Sequence, residues 1–251
     1  MAITMSPHEY ATAFRLLAAS ARHPENIERA VAERVLSHLP KQPTLLDVGA
    51  GNGKVAERLA PHFSALTLLE PNQNQIAGLQ LAKAKVLIEP LEHHHSSETY
   101  DFVLCSHVMY HVPHADWAGF IDRLLSFVKP GGFCMLVMAA ARGPMYTLCI
   151  DFSETLLFSE QVAATVKQMR LPHEVLPTMA GFVAQTFEEM FTLCRFFVLE
   201  GCYTADQLAA MSEDEVRTLD AKIRTHAERC RGPDGVYRLG QDEDFILIRK
   251  S

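Results

Sequence analysis

The residues best suited to chemistry form a glycine-rich segment, DVGAGNG, at positions 47–53. It follows a short apolar run and leads into a helical pattern. Glycines let the backbone approach a ligand closely, and the N-terminus of the next helix offers unpaired N–H groups. About 20 residues further on, a second apolar run ends in Glu70, whose carboxylate can accept both hydroxyls of a ribose. The pattern predicts a nucleotide site. The alternative is a tight turn with Glu70 as an N-terminal helix charge.

A second group of reactive side chains follows the fourth apolar run, at Ser106, His107, Tyr110 and His111. Imidazole exchanges protons near neutral pH, which suits a general base or a substrate contact. Open α/β sheets place ligands at the carboxyl ends of their strands, and Ser106 and His107 leave the fourth strand at that end. The alternative for each residue is simple packing against the ligand.

Histidines could also bind a metal, since His107, His111 and His114 stand at spacings of four and three residues. Pro113 interrupts any helix there, and no carboxylate or cysteine joins the three at a tight spacing. We therefore expect no metal. The histidine run at 93–95 lies in a polar stretch and is interpreted as a solvated loop.

The elements that position these residues alternate between strand and helix. Five short apolar runs and intervening helical patterns follow one another from Thr44 to about residue 141. Strands that are apolar throughout are typical of a parallel sheet covered on both faces. The first forty residues and 186–230 have helical periodicity, 172–184 is compatible with a further strand, and the C-terminal stretch suggests two short strands around a turn.

Composition excludes several classes of protein. The 251 residues include 23 basic and 30 acidic side chains, a net charge of −7, which argues against a nucleic-acid partner. No apolar run reaches the roughly 18 residues of a membrane span, and no signal-peptide layout precedes the helices. The six cysteines have neither metal nor disulfide spacing. We expect reduced thiols in a cytoplasmic protein with no membrane partner, and the oligomeric state is left open.

The glycine segment begins with an aspartate, and in this it resembles the cofactor loop of class I S-adenosylmethionine (SAM) dependent methyltransferases. Three further segments look like the same family: Leu69-Glu70-Pro71, the run from Tyr100 to Val112, and the turn KPGGF at 129–133. The resemblance covers roughly residues 44–140 and implies SAM as the cofactor. It places Gly49, Gly51 and Gly53 at the methionine part of SAM, with Asp47 organising the loop or holding the α-amino group.

The same resemblance implies further roles. Glu70 would bind the ribose, and the adenine would lie near Glu89. The full set of cofactor-binding residues implied is Asp47, Gly49, Gly51, Asn52, Gly53, Glu70, Pro71, Gln75, Leu91 and Ser106. The candidate catalytic residues are His107, Tyr110, His111 and Tyr146.

A narrower resemblance, to small-molecule methyltransferases of the histamine N-methyltransferase type, extends over nearly the whole chain. The segments that carry it are Tyr10-x-x-x-Phe14-Arg15, Glu70-Pro71-x-x-x-Gln75-Ile76-Ala77, Met109-Tyr110 and Asp244-Phe245-Ile246-Leu247-Ile248. It implies an α/β Rossmann-like, doubly wound sheet of seven strands with the last one antiparallel. The implied domains are an N-terminal helical lid (1–40), a SAM-binding core (41–141), a helical cap with one core strand (142–235) and a C-terminal core strand (236–251).

Substrate specificity does not carry over with this layout. The three positions that hold the amine in the histamine type correspond to His23, His107 and Gln241, and all three differ in residue type. Tyr10 and Phe14 correspond to substrate-capping positions, and with His23 and Gln241 they are the candidate substrate contacts. Histamine is therefore not the expected substrate.

Three functions remain open at this point. The first is N-methyl transfer from SAM to a small amine- or amino-acid-like molecule. The second is a SAM cyclase, in which the α-amine of SAM attacks its own γ-carbon to give azetidine-2-carboxylate and methylthioadenosine. The third is a non-catalytic SAM-binding protein.

Overall fold

The structure is a computed structural model that describes residues 5, 7–20, 22–153 and 155–251, with the backbone alone at 7, 8, 11, 14 and 18–20. Seven strands are formed: β1 Thr44–Val48, β2 Ala65–Leu69, β3 Ala84–Leu87, β4 Tyr100–Ser106, β5 Val128–Ala139, β6 His173–Ala184 and β7 Tyr237–Arg249. The α-helices are α1 Pro7–Ser20, α2 His23–Arg34, α3 Lys54–Leu59, α4 Gln73–Ile76, α5 Trp117–Ser126, α6 Gly143–Ile150, α7 Ser159–Gln168, α8 Phe187–Cys202, α9 Ala205–Ala210 and α10 Glu213–Arg229.

The strands form one sheet in the order β3-β2-β1-β4-β5-β7-β6. β1 to β5 pair in parallel, and β7 pairs with β5 in the antiparallel direction. The strand order reverses between β1 and β4, which is where a doubly wound sheet opens a crevice for a ligand. The predicted seven-stranded Rossmann-like sheet with an antiparallel last strand is confirmed.

The chain divides into two compact units. The sheet unit comprises His23–Ala139, Phe158–Thr178 and Glu243–Ser251, and the second unit comprises Met1–Arg22, Ala140–Leu157 and Met179–Asp242. In the sheet unit, α2 and α3 pack together, and the core contains fully buried strand residues such as Leu45, Phe102 and Met135. The apolar runs of the sequence supply this core.

The second unit is mainly helical. Its core is built by α8 and α10, with Leu193, Val198 and Ile223 among the fully buried side chains. Three of its helices begin with a reciprocal capping box, for example Thr186 with Glu189 at the start of α8. These caps satisfy N–H groups that the first helical turn leaves unpaired. Among the helices of the described ranges, none combines the length and apolarity needed to cross a membrane.

The prediction of two short strands at the C-terminus was wrong. Residues Tyr237–Arg249 form the single strand β7. Gly240, in the stretch where a turn was expected, lies within this strand, next to Gly181 of the neighbouring strand β6. A Cβ atom at Gly181 of β6 would lie 3.1 Å from the carbonyl oxygen of Leu239 and 3.4 Å from the Cα of Gly240. Glycine inside a strand often marks such an approach.

Candidate active site

The glycine segment forms a turn that is tied to the end of β2. Gly49, Gly51 and Gly53 all have positive φ angles, of 75°, 55° and 77°, which other residues adopt only at a cost. The backbone N–H groups of Gly49 and Ala50 both donate to the carbonyl of Leu69, at 2.8 and 3.0 Å. Nothing lies within 4 Å of an ideal Cβ at Gly51, so the turn is open at its centre.

Glu70 is held against this turn by both of its carboxylate oxygens. Oε2 accepts from the backbone N–H of Gly51 and Oε1 from that of Asn72, each at 2.8 Å, and the side chain is buried. Each oxygen retains a second lone pair for another donor. Two oriented acceptor oxygens beside an open glycine turn are what a ribose diol requires.

Asp47, near the end of β1, places a second buried carboxyl group in this region. It is 2% exposed, and its Oδ2 has no hydrogen-bond partner among the residues described. Burial, and secondly the negative charge of Glu70, raise the pKa of Asp47 to about 7. A cationic ligand group at this carboxylate would stabilise its ionised form.

The other predicted cofactor contacts differ in hydrogen bonding and in exposure. Asn52 accepts a hydrogen bond from the backbone N–H of Lys54 through its Oδ1, at 3.2 Å. Pro71 is exposed, Gln75 is half-buried in the short helix α4, and Leu91 is buried. Their contact with SAM stays a prediction.

A second polar group, here called the Glu243 cluster, consists of Glu243, His23, His107, Ser106 and Tyr110, all in the sheet unit. Glu243 Oε2 lies 3.0 Å from His23 Nδ1, and Glu243 Oε1 lies 3.1 Å from His107 Nε2. The outer ring nitrogens also have partners, since His23 Nε2 lies 2.8 Å from Ser106 Oγ and His107 Nδ1 lies 3.3 Å from Tyr110 Oη. The cluster is therefore a continuous chain of hydrogen bonds.

The carboxyl edge of the sheet brings this cluster together. His107 follows β4 directly, and its backbone N–H donates to the carbonyl of Val137 in β5 at 2.9 Å. Glu243 reaches the same edge because β7 is antiparallel and pairs it with Ala139, the last residue of β5. His107 also has a positive φ of 57°, which is uncommon for a residue with a side chain and typical of functional sites.

The protonation pattern follows from the charge of Glu243. Burial favours its neutral form, but hydrogen bonds from His107 and His23 outweigh this and hold the pKa of Glu243 at about 2. An ionised carboxylate only accepts, so both facing ring nitrogens carry protons. Burial lowers the pKa of His23 despite the nearby carboxylate, which favours a neutral ring whose Nε2 can accept from Ser106.

The sheet order and the glycine turn with Glu70 point to one family of enzymes. A protein-family model described as a methyltransferase domain matches residues 17–194, more than two thirds of the chain. The chain belongs to this family. It is a class I SAM-dependent methyltransferase, and SAM is its cofactor. The family assignment favours catalysis over a non-catalytic binding protein.

Relatives of this methyltransferase include enzymes that methylate oxygen. The ubiquinone biosynthesis O-methyltransferase of Rickettsia felis is 27% identical over 135 residues, which cover 51% of this chain and 54% of that protein. The chain spans about half the length of the curated relatives it matches.

Solved structures with the same fold include N-methyltransferases. NodS from Bradyrhizobium japonicum, in complex with S-adenosyl-l-homocysteine, gives a TM-score of 0.57 at 14% identity and covers 96% of this chain and 98% of that one. Phosphoethanolamine N-methyltransferase 2 from Haemonchus contortus, in complex with SAM, gives a TM-score of 0.52 at 17% identity. The match covers 90% of this chain and 52% of that one. At these identities the likeness shows the fold alone.

The residues of the glycine turn fit SAM. The turn leaves open space at Gly51, Glu70 presents two acceptor oxygens, and Asp47 has a buried oxygen without a partner among the described side chains. SAM carries a ribose diol and an α-ammonium group, which match these features. Bound SAM supplies an electrophilic methyl group on its sulfonium, and the protein must align and desolvate the acceptor.

The sequence-predicted substrate residues belong to both units. Of the sequence-predicted site residues, His23, Ser106, His107 and Tyr110 come together in the Glu243 cluster, and His111 is exposed in the turn beside it. Tyr10, Tyr146 and Gln241 belong to the second unit. There Tyr10 packs edge-on against Phe196, Tyr146 is half-buried and Gln241 is buried. The Phe14 side chain lies outside the described part of the chain.

Sequence reasoning missed Glu243. It lies in a run of three acids, Asp242-Glu243-Asp244, where the sequence predicts a turn. The available signal was its position just before the apolar residues 245–248 of a strand expected to be antiparallel. The start of such a strand lies at the carboxyl edge of its parallel neighbours, where ligands bind.

Proposed function

We propose that this methyltransferase transfers the methyl group of SAM to the nitrogen of a small amine- or amino-acid-like molecule that binds at the Glu243 cluster. One observation carries the proposal: a buried, ionised carboxylate lies between two imidazoles at the ligand-binding edge of the sheet. It offers an amine both a counter-charge and a route for its proton.

The charge of the cluster favours a cationic acceptor. Glu243 is ionised and only 1% exposed, and burial favours the neutral form of His23, so water screens the carboxylate charge poorly. A cation about 4 Å away in a medium of effective dielectric constant about 20 gains about 4 kcal/mol. The ammonium group of an amine or amino acid is thus attracted to the cluster.

Hydrogen-bond polarity supports a route for the proton. An ammonium must lose a proton before its nitrogen can attack the methyl group. With His107 Nε2–H donating to Glu243, a neutral ring leaves Nδ1 as an acceptor for the Tyr110 hydroxyl. Tyr110 Oη can take the proton of the acceptor while its own proton moves to His107 Nδ1. The resulting imidazolium is stabilised by Glu243.

The Glu243 cluster lies close to the glycine turn, and this also supports the proposal. Val108, which follows His107, packs against Gly49 so closely that a Cβ atom there would lie 2.3 Å from Val108 Cγ2. By the family resemblance, Gly49 borders the methionine part of SAM. An acceptor at the cluster would therefore be close to the sulfonium methyl group.

The same proximity supports the SAM cyclase as a second candidate, because the α-amine of SAM could use the same proton route. In that reaction the amine nitrogen bonds to the γ-carbon while the bond from the γ-carbon to sulfur breaks. The products are azetidine-2-carboxylate, methylthioadenosine and one proton, which the cluster would accept.

Product analysis tests both candidates. Purified protein is incubated with SAM in EDTA, first alone and then with panels of small amines, amino acids and phenols, and the nucleoside products are separated. We expect S-adenosylhomocysteine to form only with an amine or amino acid. Protein-dependent formation of methylthioadenosine together with azetidine-2-carboxylate, without an acceptor, would establish the cyclase instead, and turnover with phenols alone would refute nitrogen as the target.

Variants link the activity to the cluster. Glu243→Gln keeps the shape of the side chain but removes the charge, and we expect turnover to fall by about 100-fold or more with an amine acceptor. His62→Asn is the matched control, since His62 also pairs with a carboxylate, Glu28 at 3.3 Å, outside the site. Equal activity of both variants would contradict the proposed role of the cluster.

A further inference from the structure

The centre of the Glu243 cluster is also a set of metal ligands. We propose that His23, His107 and Glu243 bind one divalent transition-metal ion of the zinc or cobalt type. Each of these three residues offers one ligand atom, and the three atoms all lie within 4.8 Å of one another. Two imidazoles and one carboxylate are a frequent ligand set for such ions.

The distances between the ligand atoms are compatible with one shared metal ion. Glu243 oxygens lie 3.0 Å from His23 Nδ1 and 3.1 Å from His107 Nε2. Bonds of about 2.1 Å from an ion to such a pair of atoms would enclose an angle of about 90–95°. The ring centroids of the two histidines lie 4.6 Å apart and the rings are tilted by 53°, so the rings converge without stacking face to face.

The outer partners required of metal-binding histidines are already in place. A ligating imidazole typically donates its second N–H to an oxygen atom, which fixes the ring orientation. Ser106 Oγ lies 2.8 Å from His23 Nε2, and Tyr110 Oη lies 3.3 Å from His107 Nδ1. Each ring can therefore move its proton to the outer nitrogen, donate to the hydroxyl oxygen and turn a lone pair towards the ion.

Burial and composition of the site indicate which ions it would take. The Glu243 side chain is 2% exposed, whereas those of His23 and His107 are 16% and 28% exposed, which leaves one side accessible for the ion and for water. Magnesium and calcium prefer sites made of oxygen atoms, while imidazole nitrogens favour zinc, cobalt and their neighbours.

Metal binding and the proposed proton route exclude each other. Once the ion is bound, the inner nitrogens are ligands and the outer ones carry protons, so His107 cannot accept a proton from Tyr110. The ion should therefore inhibit methyl transfer, a consequence that rests on the proposed function. The set differs from the histidine spacing considered in the sequence, because His23 and Glu243 are 220 residues apart.

Titration of metal-free full-length protein with cobalt chloride tests the site. We expect one cobalt ion per chain with visible absorption bands of nitrogen- and oxygen-ligated cobalt, and displacement of cobalt by one equivalent of zinc. Glu243→Gln and His107→Asn should each weaken binding by about 100-fold or more. Ser106→Ala keeps all three ligands and should weaken zinc binding by about tenfold, as expected for the loss of an outer partner.

A double variant controls for adventitious binding by the exposed histidines of the 93–95 run. His93→Asn with His95→Asn should bind cobalt as the unmodified protein does, and SAM-induced thermal stabilisation confirms that each variant is folded. Binding that survives Glu243→Gln, or that disappears in the double variant, would overturn the proposal, as would no binding at all. Methyl transfer is assayed separately in EDTA, so a failure of either proposal leaves the other standing.

Discussion

Replacement of Asp47 by asparagine tests how a buried carboxyl group at the glycine turn affects stability and SAM binding. Asp47 is 2% exposed, its Oδ2 has no partner in the described part of the chain, and its pKa is raised to about 7 by burial and then by Glu70. In the unfolded chain this carboxyl ionises near pH 4. The folded state therefore holds a proton that the unfolded state has lost, so stability falls as the pH rises from about 4 to 7.

The size of the effect follows from this difference. A shift of about three pH units corresponds to about 4 kcal/mol, of which the two units between pH 5 and 7 contribute about 3 kcal/mol. An asparagine side chain cannot ionise, so the free energy of unfolding of the Asp47→Asn variant should not fall in this way as the pH rises. We compare the melting temperature of the variant with that of the unmodified protein at each pH. This difference should be about 6–12 °C more in favour of the variant at pH 7.5 than at pH 5.0.

Binding of SAM provides the second readout of the same substitution. If the α-ammonium group of SAM pairs with Asp47, binding stabilises the ionised carboxylate and releases its proton. The affinity of the unmodified protein for SAM, measured by calorimetry, should then rise by about tenfold per pH unit between pH 5 and 7. The Asp47→Asn variant should bind more weakly at pH 7.5 and show little dependence on pH.

Asp101 provides the control because it is buried but well paired. Burial raises its pKa, but hydrogen bonds from Lys129 and Thr44 outweigh this and lower it below its ordinary value. Asp101 therefore stays ionised throughout this range, and Asp101→Asn should lower the melting temperature equally at both pH values. A melting-temperature difference for Asp47→Asn that does not change with pH would refute the reasoning, as would a loss of stability at pH 7.5.

Three further substitutions give independent tests. Gly49→Ala places a Cβ atom 2.3 Å from Val108 Cγ2 at a φ of +75°, so we expect a loss of about 1–3 kcal/mol in unfolding titrations and weaker SAM binding by calorimetry. Tyr110→Phe should lower kcat by about 100-fold in the product assay while the KM for SAM is unchanged, because it removes the proton route, together with the 2.7 Å hydrogen bond that Tyr110 Oη accepts from the Ala139 N–H. Lys129→Met removes the 2.8 Å ion pair with Asp101, and denaturant unfolding should show a loss of only about 1 kcal/mol, because the lysine is partly exposed.

The parts of the fold that local patterns describe could be predicted from the sequence. The apolar runs and the glycine segment at 47–53 are local sequence patterns. They were therefore sufficient to predict the parallel sheet and the position of Glu70 beside the turn. Helix and strand periodicity also predicted His107 and Tyr110 at the end of β4. These features share one property, which is that each strand and the loop after it are contiguous in the chain.

Glu243 was missed for a physical reason. Its function depends on partners 220 and 136 residues away, His23 and His107. They meet because β7 enters the sheet between β5 and β6 and is antiparallel to β5, so that Glu243 lies where the parallel strands end. The three acids by themselves resemble a solvated turn, and only their position before a strand expected to be antiparallel indicates the pairing with Ala139.

Glu243 and Asp47, two of the buried carboxylates at this edge of the sheet, differ in how their charge is balanced, and this affects ligand binding. Glu243 is ionised and shared between two imidazoles, so an acceptor meets a charge that is already in place. Asp47 has an oxygen without a protein partner among the residues described and a pKa of about 7, so its ionisation is balanced only when a cation arrives. Donor binding should therefore release a proton near neutral pH, whereas acceptor binding requires no change at Glu243. Because protonation of Asp47 opposes SAM binding, acidification should weaken the binding of the donor before it affects the charge that attracts the acceptor.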